Sequence, residues 1–375
     1  MSTGAEQLKT DLIDRIVERV QARLDPDRAD MAERFARQFY AHVPPDDLLG
    51  DDADNLYGQA VAMLNFAGTR EPGAAKVRAY NPRIEEHGYG SSHTVVEIVN
   101  DDMPFLVDSV TQRLADLDTQ VHLVIHPILQ VQRDDQGRLA DVHAADSTAD
   151  SRDEQAAAAQ GKTGTKAKGR AKPARANDGG DTATKTRPAS AASETRRESL
   201  MHIEISEQPP GRLEELEQDL ARVLADVRAS VRDWRAMQRQ ARAVIDQLKA
   251  SPPPLDQGEL EEGVAFLEWV VDDNFTFLGY REYSFEGSGA RAVAQVDHES
   301  GLGILADPEY RLFDGLRDLG KLPREVQAFL HQPDLLRVTK ANRRSTVHRA
   351  VHLDTIAVKT FDTHGHVTGE KLIAG

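Results

Sequence analysis

The sequence predicts an α+β fold: a helical module, a sheet-forming region carrying a long helix, and the start of a second sheet-forming region. Three observations predict it. Apolar residues recur at steps of three and four as far as about residue 68. Alternating apolar and polar residues then take over from Thr94, and again from Leu353. Between those two regions one helical stripe runs unbroken from Leu213 to Leu248.

The helical module is read first. Leu8, Leu12, Ile13, Ile16, Val17, Val20 and Leu24 share one face and stop before Asp25-Pro26. Met31, Phe35, Phe39 and Val43 mark a second helix that ends at Pro44-Pro45, and Leu56, Ala60, Val61 and Leu64 mark a third. The spacing then changes to that of strands. Thr94 to Val99 alternates, residues 104–117 return to helical spacing, and Gln120 to Arg133 alternates again. Asp134-Asp135-Gln136-Gly137 is a turn, after which Arg138 to His143 reads as a returning strand.

Residues 144–198 contain no Val, Ile, Leu, Met, Phe, Tyr or Trp. Such a segment buries too little apolar surface to offset the entropy of ordering it, so a disordered insertion is predicted there. Its cluster Lys162, Lys166, Lys168, Arg170, Lys172 and Arg175 lacks aromatic residues for base stacking and reads as solvated. SLMHIEIS (199–206) resumes as a strand, and the long helix follows within residues 209–250. At 1.5 Å per residue the stripe from Leu213 to Ala250 spans about 55 Å, long enough for a packed arm. Leu260 to Val271 is helical in spacing, while 275–285 and 290–296 are strand-like. Residues 309–331 are mixed and partly helical in pattern; Leu353 to Phe361 and Val367 to Ile373 form a final hairpin with nothing after it to cap it. The domain reading is 1–85 for the N-terminal helical segment, 86–250 for the first sheet domain with its insertion and long helix, 255–335 for a mixed connecting region, and 336–375 for the start of a second sheet domain.

Composition narrows the function classes. The formal net charge of −16 argues against nucleic acid or an anionic membrane as the main partner. With no cysteine, disulfides, thiolate metal sites and cysteine nucleophiles are excluded. No apolar stretch suits a signal peptide or a membrane span, so a cytoplasmic protein is expected.

The motif search offers little catalysis. Gly301-Leu302-Gly303-Ile304-Leu305-Ala306 matches G-x-G-x-x-A letter for letter. A dinucleotide site would need a buried parallel strand before it and a helix after it, whereas Pro308 follows closely; a glycine-rich connection is the better reading. His122 and His126, like His348 and His352, are four apart but lie in strand patterns, where four residues span about 13 Å, too far to share one metal. His364 and His366 flank a turn glycine and lack other ligands nearby. No nucleophile elbow and no phosphate-binding P-loop is present. No catalytic, cofactor-binding or metal-ligating residue is assigned.

One stretch remains. In VVEIVNDDMPFLVDSVT the strand stops at Asn100-Asp101-Asp102 and Pro104 restarts a helical pattern. Two adjacent carboxylates before a proline suit an acid/base pair, a metal pair, a ligand-binding turn or a helix cap. Capping explains Asp101 and Asp102 first, with Pro104 suited to a first helical turn. A strand-to-helix turn also exposes backbone N–H groups to an anion, and an amino acid, carrying both charges, would suit N–H donors beside carboxylates. The candidate ligand-binding residues are therefore Asn100, Asp101, Asp102, Met103, Pro104 and Phe105.

Strand, D-x-P turn, helix, strand, strand, helix resembles an ACT domain, the ferredoxin-like βαββαβ fold that binds amino acids. The stretch VVEIVNDDMPFLVDSVTQRLADLDTQVHLVIHPILQV is similar to the first ACT-like domain of the large bacterial NAD-specific glutamate dehydrogenases. SLMHIEIS, EEGVAFLEWVVDDNFTFLGYREY, GLGILAD and RSTVHRAVHLDTIAVKTFD resemble that family's later segments, in its order. The resemblance covers roughly residues 10–143 and 198–375. It implies a non-catalytic N-terminal regulatory or assembly region of an enzyme that converts L-glutamate, NAD and water to 2-oxoglutarate, ammonium and NADH. NAD would belong to the parent enzyme, with the glutamate and NAD sites far downstream. The implied partners are the rest of the dehydrogenase, other subunits in a homo-oligomer and an amino-acid effector. The alternatives are a free-standing ACT-like amino-acid-binding module and a purely structural oligomerisation scaffold. This sequence departs from the family pattern D-x-P-G-L at Phe105, which stands where the glycine would be. The fourth ACT strand is also missing after the long helix, either absent or supplied by residues 275–283.

Overall fold

The computed structural model describes residues 2–144, 195–286, 293–310, 312, 323 and 332–375. Helix α1 (Ser2–Arg23) packs its Leu12, Ile16 and Val20 against α2 (Pro26–Ala41) and, beyond the single turn α3 (Pro45–Leu48), against α4 (Ala53–Ala67). Proline occupies the first turn of α2, where no backbone N–H is required. Asp52 caps α4, its carboxylate accepting from the N–H groups of Asp54 at 2.8 Å and Asn55 at 2.9 Å. The three amphipathic helices thus arise where the apolar spacing predicted them. The N-terminal helical segment, 1–85, also contains strand β1 (Lys76–Tyr80) before the one-turn helix α5 (Ile84–His87).

The first sheet follows. Strand β2 (Thr94–Asp101) leads into α6 (Leu106–Asp116), then β3 (Val121–Ile125), β4 (Ile128–Arg133), β5 (Leu139–Ala144) and β6 (Thr195–Ile205). The order across the sheet is β1-β2-β6-β4-β5, with β3 also on β6, and every pairing is antiparallel. The alternating pattern read as one strand, Gln120 to Arg133, is two strands interrupted by Pro127, which has no N–H to give to a ladder. Both faces of the sheet are covered. Val99, Leu200, Leu129 and Val131 pack on the helical module, while Val96, Ile98, Met201 and Ile203 pack on α6 and the long helix.

Helix α7 (Leu213–Ala250) holds 38 residues, as its stripe predicted. After it, α8 (Gln257–Trp269) leads into a second antiparallel sheet of β7 (Gly279–Glu286), β8 (Val293–Gly303), β9 (Leu336–Arg344), β10 (His352–Phe361) and β11 (Val367–Ala374), in the order β8-β7-β11-β10-β9. The N-terminal half of α7 packs on the first sheet through Leu216, Leu220 and Leu224, and its C-terminal half packs on the second through Met237, Ala241 and Val244. Segments 255–335 and 336–375, expected as separate, contribute strands to this one sheet.

Two expectations need correction. The insertion was placed over 144–198, but Ala144 ends β5 and Thr195 to Glu198 form the start of β6, paired with β4. Residues 145–194 lie outside the described residues. The fourth strand of the first sheet is not 275–283, of which Gly279 onward forms β7 of the second sheet; the position beside β2 is taken by β1, from earlier in the chain. The partly helical stretch 309–331 falls almost entirely outside the described residues.

Candidate functional site

The turn at 100–105 forms where β2 ends. Asn100 is fully buried in the sheet, and Asp101 is still in the ladder, opposite Glu198. Helix α6 does not begin until Leu106, and the residue at its N-cap is Phe105, with no side-chain capping bond. The capping role expected for Asp101 and Asp102 is therefore overturned: Asp101 still belongs to the strand, and Phe105, not Asp102, stands at the N-cap.

Arginines take those carboxylates instead. Asp101 is bound by Arg70, from the loop after α4, and by Arg228 of α7 at 2.5 Å. Burial works to raise its carboxyl, but the hydrogen bonds and charges of Arg70 and Arg228 outweigh it and hold the group below the ordinary 3.8. Arg228 also donates to the Asn100 side-chain oxygen, while Asn100 Nδ2 is buried with no hydrogen-bond partner among the described residues. Arg70 reaches further, to Glu198 at 2.9 Å, and Glu198 accepts from Arg133 at 2.7 Å. Asp102 lies 3.0 Å from Arg197, and its backbone N–H donates to the Arg197 carbonyl at 3.1 Å. Both carboxylates of the turn are thus occupied from within the chain.

The apolar half of the turn is covered as well. Met103 and Phe105 are partly buried against the core shared by the two sheets, whereas Pro104 is exposed. Phe105 has φ 71°, in the left-handed region, so the backbone keeps the conformation that glycine ordinarily supplies while carrying a ring. That ring lies 5.0 Å from His348, in the loop joining β9 to β10. The His348 N–H donates to Ser109 Oγ at 2.9 Å, the Ser109 hydroxyl donates to the Phe105 carbonyl at 2.6 Å, and His348 Nδ1 lies 3.2 Å from Asp108. A loop of the second sheet therefore sits on the turn of the first.

A second polar cluster lies on the module-facing side of the first sheet. Glu97 of β2 and His202 of β6, both fully buried, face each other with Nδ1 to Oε1 at 3.3 Å. Gln59 of α4, Tyr40 of α2, Glu204 and His93 extend this cluster. Arg70, Arg133, Arg228 and Glu198 were missed in the sequence because isolated charges look solvated, whether in a loop, in a strand or on a helix. Glu97, His202 and Glu204 did carry a signal: each interrupts VVEIV or LMHIEI at a core-facing position.

The glycines of GLGILA do not fit a pyrophosphate. Gly303 ends an antiparallel strand, and Ile304–Ala306 is a single 3-10 turn, with no helix N-terminus to receive an anion. Buried Arg281 binds the carbonyls of Leu305, at 2.9 Å, and Tyr310, at 3.1 Å. A side chain at Gly303 would place its Cβ 2.2 Å from the Leu278 carbonyl oxygen, so close backbone approach accounts for this glycine. The histidine pairs diverge: His126 meets Ser199 at 2.7 Å, His122 stacks on His93 at 4.2 Å, and His352 meets the Ala341 carbonyl at 2.9 Å. Among the described residues no three of His, Asp and Glu gather as metal ligands, and no helix is long and apolar enough to cross a membrane.

Residues 35–172 match the family model for the glutamate dehydrogenase ACT1 domain. The chain is 35% identical over 380 residues to an NAD-specific glutamate dehydrogenase of Halomonas elongata, a match covering 100% of this chain and 21% of that protein. It is 30% identical over 340 residues to the NAD-specific glutamate dehydrogenase of Pseudomonas aeruginosa, covering 90% of this chain and 18% of the relative. The chain thus spans about a fifth of the length of these curated relatives.

Proposed function

As this chain belongs to the NAD-specific glutamate dehydrogenase family, we propose that it serves as a non-catalytic N-terminal region of assembly and regulation within a longer, cytoplasmic dehydrogenase. The parent reaction would be oxidation of L-glutamate with NAD to 2-oxoglutarate and ammonium. Its NAD and glutamate sites would lie in sequence beyond this chain, since the one glycine-rich motif here is used for backbone packing.

Within that role a scaffold is favoured over an amino-acid sensor. The observation that carries it is the turn itself: Asp101 and Asp102 are neutralised by arginines, and Phe105 is seated against His348. A ligand would have to displace contacts already made, and it shifts a conformational equilibrium only through differential affinity for two states. One observation supports the sensor, the unpartnered Nδ2 of buried Asn100. We also read the first sheet as a ferredoxin-like ACT arrangement in which β1 replaces the missing last strand, because β2, α6, β3/β4, β6 and α7 follow one another as that fold requires.

Calorimetric titration of the twenty amino acids into the 375-residue chain tests the choice. No heat of binding is expected under the scaffold reading. Saturable binding that disappears in Asp102→Ala would replace it with the sensor. Light scattering bears on the scaffold directly: self-association is expected, and a monomer at every concentration would count against it.

A further inference from the structure

Between the helical module and the first sheet, counting hydrogens decides the charge of a buried histidine. Tyr40 Oη lies 2.7 Å from the Leu56 carbonyl oxygen and 2.8 Å from the terminus of the Gln59 side-chain amide. Both separations call for an intervening hydrogen, and a phenol carries one. A carbonyl cannot donate, so Tyr40 donates to Leu56 and must receive from Gln59. With the amide oxygen toward Tyr40 two acceptors would compete for one hydrogen; turning the amide by 180° puts its NH2 there and satisfies both contacts, giving up a 3.4 Å approach of the amide nitrogen to Glu204 Oε1 that is long for a hydrogen bond.

That orientation places the amide oxygen 3.0 Å from His202 Nε2, which must then carry a hydrogen. His202 Nδ1 points at Glu97 Oε1, and needs one too. Glu97 already accepts from Arg78 Nε at 2.6 Å and from the Tyr80 hydroxyl at 3.0 Å, which in turn meets the Tyr89 hydroxyl at 2.7 Å. Every donor around this carboxylate is directed at it, so the second proton resides on the ring. Glu204 lies on the other side, 3.8 Å from Nε2 and 2.9 Å from His93 Nδ1. Phe39 meets the imidazole edge-on at 5.9 Å.

We propose that His202 is a buried imidazolium that fastens helices α2 and α4 to the first sheet, and that its deprotonation at alkaline pH releases the helical module. With the ring charged, Arg78 and His202 balance Glu97 and Glu204. With the ring neutral, a carboxylate is left uncompensated, and either Glu97 or the Gln59 amide loses its donor, since one N–H remains on the ring. Such a pair, broken on one side, is strongly destabilising.

The direction of titration agrees. Burial by itself would lower His202, but the hydrogen bonds and charges of Glu204 and Glu97 outweigh it and raise the ring above the ordinary 6.5. Burial likewise opposes ionised Glu204, yet His202 and His93 hold it below 4.5. Tyr40 is pushed far up by burial, and by Asp51 and Glu204, and takes no part as an acid. A histidine raised on folding contributes stability that is complete below its unfolded value and is lost as pH rises through the higher folded value. The fastening therefore weakens on the alkaline side.

Histidine-selective nitrogen-15 NMR on the whole chain reads the ring directly. Both His202 nitrogens are expected protonated at neutral pH, with a midpoint above 6.5. Hydrogen exchange, corrected for its intrinsic pH dependence, should show α2 and α4 losing protection through that midpoint while α6 and the first half of α7 keep theirs. Tyr40→Phe removes the competition that sets the amide and should lower the His202 midpoint without unfolding the chain. A singly protonated ring at neutral pH would overturn the proposal whether or not the variant folds. So would pH-independent protection of α2 and α4, or a midpoint unmoved in a folded Tyr40→Phe.

Discussion

Phe105 carries two opposing energies. Its left-handed backbone costs a side-chain-bearing residue about 1 kcal/mol relative to the right-handed region, while its half-buried ring gains contact with His348 and the core. Truncation to alanine removes the contact and keeps the strain; truncation to glycine removes both. Phe105→Gly should therefore be more stable than Phe105→Ala by roughly 0.5–1 kcal/mol, after allowing for the greater unfolded-state entropy of glycine. This inverts the order found at ordinary helix positions. Urea denaturation of the two variants measures it, and an alanine variant equal to or better than the glycine one would mean that the turn relaxes out of the left-handed region once the ring is gone.

At the scale of elements, strand β6 shows why part of the fold was hidden. Its second half, Leu200 to Ile205, alternates visibly, but Thr195 to Glu198 has no apolar residue and reads as a continuation of the polar segment. It is held by ladder pairing and by Glu198, fully buried between Arg70 and Arg133. Removing that carboxylate leaves buried Arg133 with backbone carbonyls alone and Arg70 with Asp101 as its one carboxylate partner, so Glu198→Ala should cost about 3–5 kcal/mol by denaturant titration. A loss under about 1 kcal/mol would show that the arginines find other partners and that charge does not anchor the strand. The same contrast separates what the sequence made legible from what it did not. Helices α1, α2, α4 and α7 each bury a stripe and were plain. Edge strands β1, KVRAY, and β9, LRVTKANRR, bury too few alternating residues to announce themselves. The turn at 100–105 was located from its residue types, but the arginines that close it come from three distant segments, and no local pattern could reveal them.

The whole molecule is tied together through α7. One core joins Val96, Ile98 and Ile203 of the first sheet to Leu353, Ala357 and Leu372 of the second, with Leu220, Leu224 and Val227 of the helix among them. The loop carrying His348 adds a second tie, onto α6 through Ser109. Two sheets that share a core and a helix should unfold together, whereas sheets joined by a linker would each follow their own stability. Leu372→Ala distinguishes these cases. Leu372 is fully buried in β11, at the centre of the second sheet and far in sequence from the first. Its truncation should cost about 2–5 kcal/mol. If unfolding is shared, native-state hydrogen exchange will show that loss equally at the slowest amides of β2 and β6 and at those of β10 and β11. Protection lost in the second sheet alone would mean that α7 connects two independent units, and a conformational signal received by one sheet would then have no route through this core to the other.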